Sequence, residues 1–246
     1  FYCVAMHPYQ EDLTRRVLAE YAAGYKRVVE QLPTGGGKTY TVAQAQIPHF
    51  LRESFKVLFV VDLDFVVDDT AAILMNLGID AGIIQAGKPY LAGKSVYVCS
   101  LMTLIKRGLR PFEGEKVIFI LDECHIFAGP ECLALLHAYP DALHLGLTAT
   151  PQRGDGTALG NFYERLVCGP QMSWLMSNGL LVPRIYTVGP GKKQKALAWD
   201  PVDSWFRYAP GLRTIYFCAS SDHAEKTAAR FNALGVGSEV VTSKTG

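Results

Sequence analysis

Apolar residues fall in this chain as short unbroken runs, separated by stretches with helical spacing. Lys56 to Val61, Ala81 to Ile84, Ser95 to Cys99, Val117 to Leu121 and Leu143 to Leu147 are the runs, and Val28-Val29-Glu30-Gln31-Leu32, with two polar residues, also predicts a short strand. Segments this short that are apolar at successive positions predict strands buried on both faces. Pro8 to Ala23 predicts a helix, because Pro8 suits a first turn, Leu13, Val17 and Tyr21 recur every fourth residue, and Gly24 can end it. A second helix is expected from about Lys38, with Pro48 ending or kinking it. Asp64 is expected to cap the next helix and Gly78 to close it. Leu133, Leu135 and Leu136 continue the helical spacing. Strands alternating with helices place the chain in the α/β class, with a parallel sheet sandwiched by helices. In such sheets ligands sit beyond the carboxyl ends of the strands.

The pattern changes after Pro151. Residues 152–161 are rich in glycine and charge and predict a loop, and Gly189 to Lys195 predicts a flexible hairpin or linker. A new αβ pattern then begins, with a strand at Thr214 to Ala219, a helix from about Asp222 to Leu234 and a strand at Ser238 to Val241. The expected division is a first domain over residues 1–170, then a linker and the start of a second αβ domain over 171–246. A full domain of this kind takes roughly 100 residues or more, so the second is expected to be incomplete.

Composition narrows the function classes. The 246 residues are 49% hydrophobic and 19% charged, which supports a sizeable core and argues against disorder. A net charge of +1 carries no global basic field, which argues against a histone-like binder but leaves room for a local groove. No apolar run reaches the ~18 residues of a membrane span, and the start lacks the features of a signal peptide. The six cysteines are scattered without a C-x-x-C pair, which favours buried free thiols in a reducing cytoplasm over a zinc site.

Three strings carry the chemistry, each after an apolar run. In Leu32-Pro33-Thr34-Gly35-Gly36-Gly37-Lys38-Thr39, consecutive glycines let backbone N–H groups converge on an anion, and the helix behind them adds its dipole. Lys38 is placed to reach the β- and γ-phosphates of ATP, and the Thr39 hydroxyl to ligate Mg²⁺. The strict phosphate-loop pattern has glycine where this chain has Leu32. Asp122-Glu123 emerge at a strand end, where Asp122 can hold Mg²⁺ through water and Glu123 can orient and deprotonate the attacking water. In Thr148-Ala149-Thr150-Pro151 the two hydroxyls can bond to His125 or to the acidic pair, and so sense the nucleotide state. A fourth element, His7-Pro8-Tyr9-Gln10, offers a Gln10 amide that can pair with the N6 and N7 of adenine, with Phe1 or Tyr2 upstream to stack on the base.

With these strings in order, the chain resembles the superfamily 2 helicases and translocases, close to the DEAD/DEAH-box group that includes restriction-enzyme motor subunits and phage helicases. Pro8-Tyr9-Gln10 is similar to the Q motif, Gly-Gly-Gly-Lys-Thr to motif I, Asp122-Glu123-Cys124-His125 to motif II and Thr148-Ala149-Thr150-Pro151 to motif III. Val98 to Leu104 resembles motif Ib, which implies backbone contacts to nucleic acid from Ser100 and Thr103. Arg153 to Gly156 resembles the loop that follows motif III, Asn178 to Pro183 the lead-in to a second domain, and Thr214 to Ala219 motif IV. The resemblance implies a RecA-like phosphate-loop fold, ATP and Mg²⁺ as ligands, and a nucleic-acid track, with DNA favoured over RNA. It also implies a possible nuclease or methyltransferase partner subunit.

Two departures qualify it. The segment Val60 to Phe65, where motif Ia belongs, carries Asp62 and Asp64 instead of a basic residue, and acids repel phosphates. Motifs V and VI, with their arginines for the γ-phosphate, are not found. The chain is therefore expected to be a fragment that turns over ATP very slowly by itself, since such an arginine is worth ~10³–10⁵ in rate. Three functions compete: an ATP-dependent nucleic-acid motor, the motor of a restriction-modification system included; a phosphate-loop ATPase acting on protein; and a binding module without turnover.

Overall fold

The computed structural model describes residues 5–108, 111–127, 138–152, 156, 158–182 and 200–242. Phe1, Tyr2, the expected helix around Leu133 to Leu136 and the segment Gly189 to Lys195 lie outside the described residues. The chain divides into two compact units, residues 1–183 and 184–246.

The first unit is built on seven parallel strands: β1 (Arg27–Gln31), β2 (Lys56–Val61), β3 (Ala81–Ile84), β4 (Val96–Ser100), β5 (Val117–Asp122), β6 (Leu143–Thr148) and β7 (Arg165–Cys168). Their order in the sheet is β3-β4-β2-β5-β6-β1-β7. Alternate residues of each central strand feed two separate cores. Val57, Phe59, Val61, Ile118 and Ile120 face one side, where α1 (Pro8–Ala22) contributes Leu13 and Val17, and α4 (Asp64–Asn76) contributes Val67, Ala71 and Leu74. Leu58, Val60, Phe119 and Leu121 face the other, against Leu101 and Leu104 of α5 (Leu101–Lys106) and the rings of Phe112, Phe162 and Tyr163. Each fully buried Leu, Val or Phe contributes about 1.5–3 kcal/mol, so this double-sided burial is what makes the runs strands.

β7 was not anticipated. Leu166 is half exposed on this edge strand and Val167 alone is fully covered, so the segment lacks the continuous apolar signature of the interior strands. Its place is set by pairing, with Val29 opposite Leu166 and Gln31 opposite Cys168.

The helix after the glycine loop is irregular ahead of Pro48. It runs as α2 (Lys38–Thr41), a π-helical segment (Val42–Gln46) and α3 (Ile47–Arg52), so Pro48 does not end it. Proline lacks an N–H, and the turn before it has already widened, with the Ile47 N–H bonded to the Val42 carbonyl. Asp64 likewise is not a cap. Leu63 holds the cap position with no side-chain bond, and Asp64 is the first helical residue. Gly78 does close this helix at a φ of +85°.

The second unit contains α7 (Pro201–Tyr208) and α8 (Ser221–Ala233), and the first unit ends on α6 (Met172–Ser177). Asp200 caps α7 by accepting from the Val202 and Asp203 N–H groups, and Ser220 caps α8. The runs Thr214 to Ala219 and Ser238 to Val241, expected as strands, form no pairing among the described residues. Ile215, Phe217 and Val241 are accordingly more than four-fifths exposed. A parallel strand exists through its neighbours' hydrogen bonds, and neither run has a strand neighbour among the described residues.

Candidate nucleotide-binding site

The strand order brings the three strings together. β1 lies beside β6 and β6 beside β5, so the loop after β1, the acidic pair after β5 and the hydroxyl turn after β6 emerge at one edge. Gln31 is level with Thr148, and Asp122 with Leu147. The Leu32 N–H donates to the Thr148 carbonyl at 3.0 Å, and the Cys124 N–H to the Leu147 carbonyl at 2.9 Å, so all three turns are tied to β6.

The loop is shaped by its glycines and their neighbours. Gly35 and Gly37 both have φ near +80°, and the Gly36 N–H closes a turn on the Pro33 carbonyl at 2.9 Å. Leu32, in place of the usual glycine, is fully buried and packs in the core. Gly36 makes room for it, since a Cβ there would lie 2.8 Å from the Leu32 Cγ. Thr34 and Gly35 are exposed, while Lys38 and Thr39 sit partly buried at the start of α2.

Gln10 braces this loop. Its Oε1 accepts from the His7 N–H at 2.9 Å, and its Nε2 donates to the Gly36 carbonyl at 3.3 Å. Tyr9, to which the sequence pointed only as a neighbour of Gln10, donates its hydroxyl to the same carbonyl at 2.8 Å. The Tyr9 ring packs edge-on against Trp174 of α6, at 6.0 Å between centroids. Each end of the Gln10 amide retains one unused hydrogen or lone pair.

Lys38, Glu123, His125 and Thr148 form a continuous polar chain. Lys38 Nζ is 3.6 Å from Glu123 Oε1, and Glu123 Oε2 is 3.4 Å from His125 Nδ1. His125 Nδ1 is 3.0 Å from the Thr148 hydroxyl, which donates to the Thr150 carbonyl and accepts from the Thr150 N–H, each at 3.1 Å. Thr148 is fully buried, so its hydroxyl is fixed by these partners. Glu123 has a φ of +52°, a conformation that costs a non-glycine residue of order 1–3 kcal/mol. This left-handed turn, closed by the Ile126 N–H on the Glu123 carbonyl at 2.9 Å, carries the Glu123 carboxylate to Lys38.

Burial raises the Asp122 pKa, and the neighbouring Glu123 charge adds to the rise. Lys38 and the hydrogen bond from the Glu123 N–H, at 3.1 Å, pull the other way. Two adjacent carboxylates with one lysine form a site short of positive charge, which a divalent cation would supply. Ser100 and Thr103 stand apart from this cluster. Both are buried at the end of β4 and the start of α5, and the Thr103 hydroxyl donates to Asp64 Oδ1 at 3.3 Å. No group of three or more metal-binding side chains occurs among the described residues, and the four described cysteines are free thiols.

A parallel sheet with a glycine loop, an acidic pair and a hydroxyl turn beyond the carboxyl ends of its strands is the arrangement of a nucleotide-binding domain. Residues 4–153 match the model of the family described as type III restriction enzyme, res subunit, and the chain belongs to that family. A Schizosaccharomyces pombe protein named as a mitochondrial ATP-dependent helicase, irc3, is 23% identical over 99% of this chain and 46% of its own length. A Sulfurisphaera tokodaii protein named DNA 3'-5' translocase XPB2 is 29% identical over 62% of this chain and 32% of its own. The chain thus spans a third to a half of the length of these curated relatives. Among solved structures, the UvsW helicase of bacteriophage T4 superposes with a TM-score of 0.54 at 17% identity, covering 67% of this chain and 60% of that one. The type ISP restriction-modification enzyme LlaGI, in complex with a DNA substrate mimic, gives a TM-score of 0.54 at 16% identity, covering 72% of this chain and 21% of that one. No described helix is long and apolar enough to cross a membrane.

Proposed function

We propose that this chain is the ATP-binding motor domain of a translocase that spends ATP hydrolysis on movement along DNA. The observation that carries this reading is the unbroken chain Lys38–Glu123–His125–Thr148, which links the phosphate loop to a turn that hydrolysis alone does not need. Lys38 binds the terminal phosphates, the glycine N–H groups cradle them, and Glu123 holds and deprotonates the attacking water. Thr39 and Asp122 would hold Mg²⁺, which when bound neutralises charge developing on the phosphates. The unused valences of Gln10 suit the edge of adenine, so Gln10 reports base occupancy to Gly36 directly. His125 passes the state of Glu123 to Thr148 and Thr150.

DNA is favoured over RNA by two similar proteins, one named a DNA translocase and one held with a DNA substrate mimic. The contacts assigned to Ser100 and Thr103 rest on motif resemblance, and a strand reaching Thr103 displaces its bond to Asp64. The family description supports a restriction-system motor with nuclease or methyltransferase partners as a second reading.

The test is an ATPase assay of the full-length protein with single-stranded DNA, duplex DNA and RNA compared. DNA is expected to stimulate turnover most, and turnover indifferent to all three sinks the motor reading. Lys38→Ala is expected to abolish ATP binding, and Glu123→Gln to keep binding while stopping hydrolysis.

A further inference from the structure

Beneath the phosphate loop lies a polar pair that the proposed chemistry does not use. Glu30 is the penultimate residue of β1, and Gln46 closes the π-helical segment of the helix that follows the loop. Both side chains are completely buried. The Gln46 Nε2 donates to Glu30 Oε2, which joins the strand entering the loop to the helix leaving it. The other oxygen of each group, Glu30 Oε1 and Gln46 Oε1, is buried and has no hydrogen-bond donor. An unsatisfied buried acceptor costs ~1–3 kcal/mol, and two on one bonded pair need a common explanation. A single proton supplies it. An amide and a neutral carboxylic acid can exchange two hydrogen bonds face to face, whereas an amide and a carboxylate can exchange only one.

We propose that Glu30 is a neutral carboxylic acid in the folded protein, donating its proton to Gln46 Oε1 and so clasping the phosphate-loop helix to β1. The surroundings favour that form. Arg16 and Tyr21 of α1 and Lys38 of α2 are the titratable groups that act on this carboxyl, and the strands on either side present Leu147 and Val167. The loss of water raises the pKa to about 7, outweighing the hydrogen bond from the Gln46 amide and the charges of Lys38 and Arg16, which all favour the charged form. Gln46 is the last residue of the π-helical segment, and its side chain reaches Glu30 on the strand. Glu30 is thus a positioning residue for Lys38, acting through Gln46 and the shared helix. Its deprotonation releases one of the two bonds of the clasp and loosens the loop.

The part of this inference that concerns ATP rests on the nucleotide-binding reading above, and the protonation does not. The deciding measurement is a carbon-13 titration of the Glu30 side-chain carboxyl in the full chain, from about pH 5 to about pH 9. The carboxyl is expected to stay neutral well above the range of an ordinary glutamate and to ionise near neutrality. A Glu30 already ionised at about pH 5.5 overturns the proposal whatever the protein binds. The second arm is MgATP affinity against pH for the wild type and for Glu30→Gln, whose amide offers the same two bonds without a titrating proton. Wild-type affinity is expected to weaken about three- to tenfold across the transition, the fold-change of one net hydrogen bond, while Glu30→Gln stays flat and tight. Parallel pH profiles for the two proteins would remove the link to the loop. Absence of ATP binding by either protein at every pH would refute the nucleotide reading, and the titration would still decide the clasp.

Discussion

Gly37 and Glu123 take the same left-handed backbone for opposite reasons. At Gly37, φ is +83° and an added Cβ would stand 2.6 Å from the Gln10 Nε2. Gly37→Ala is therefore strained in its backbone and pushes Gln10 off the Gly36 carbonyl. Thermal unfolding is expected to show a loss of about 1–3 kcal/mol, and ATP affinity to fall with it. Unchanged stability and affinity would mean that Gln10 does not brace the loop. Glu123 accepts the strain because its carboxylate must reach Lys38 and His125. The residue types of this site were readable in the sequence, since phosphate, metal and water each demand a particular group at a strand end. The handedness at Glu123 was not, because it depends on the closing bonds of a turn packed under β6.

At the scale of elements, β6 shows how close the layers stand. A Cβ on Gly146 would lie 2.7 Å from both Cys124 Sγ and the Tyr163 hydroxyl. Gly146→Ala is expected to cost about 1–3 kcal/mol by overpacking, and to perturb ATPase because Cys124 lies between Glu123 and His125. Denaturant unfolding together with turnover checks both effects. Glu30 gives a prediction of known sign. Its pKa rises from 4.5 to about 7 on folding because burial disfavours the charge. Between those values the unfolded chain gives up its proton while the folded chain keeps it. Stability therefore falls as pH rises through that window, by about 3 kcal/mol in all, and the loss is complete above it. Urea midpoints on either side of the window should differ for the wild type much more than for Glu30→Gln. The interior strands were legible from their apolar runs. The edge strand β7 and the helix running through Pro48 were not, because pairing and packing outweighed local preference there.

For the whole molecule, both hydrophobic cores lie between residues 13 and 167, inside the first unit. Pro201, Val202 and Ala228 are the buried apolar side chains of the second unit among the described residues. A protein of residues 1–183 is therefore expected to fold cooperatively, with a melting temperature within about 4 °C of the full chain. Circular dichroism would check this, and loss of the cooperative transition would show that the second unit is needed for the first to fold. The sequence by itself determined the α/β class, the interior strands, and the order and chemistry of the three strings, because each rests on local pattern and on residue type. It did not determine which strands are neighbours. Apolar runs are nearly interchangeable as partners, and only the packing of helices on both faces selects the order that sets β1 beside β6 and β6 beside β5. That order joined Lys38, Glu123, His125 and Thr148, and the same tertiary packing set Gln10 on Gly36 and closed Gln46 on Glu30. Those contacts join residues far apart in the chain, and no local signal specifies them.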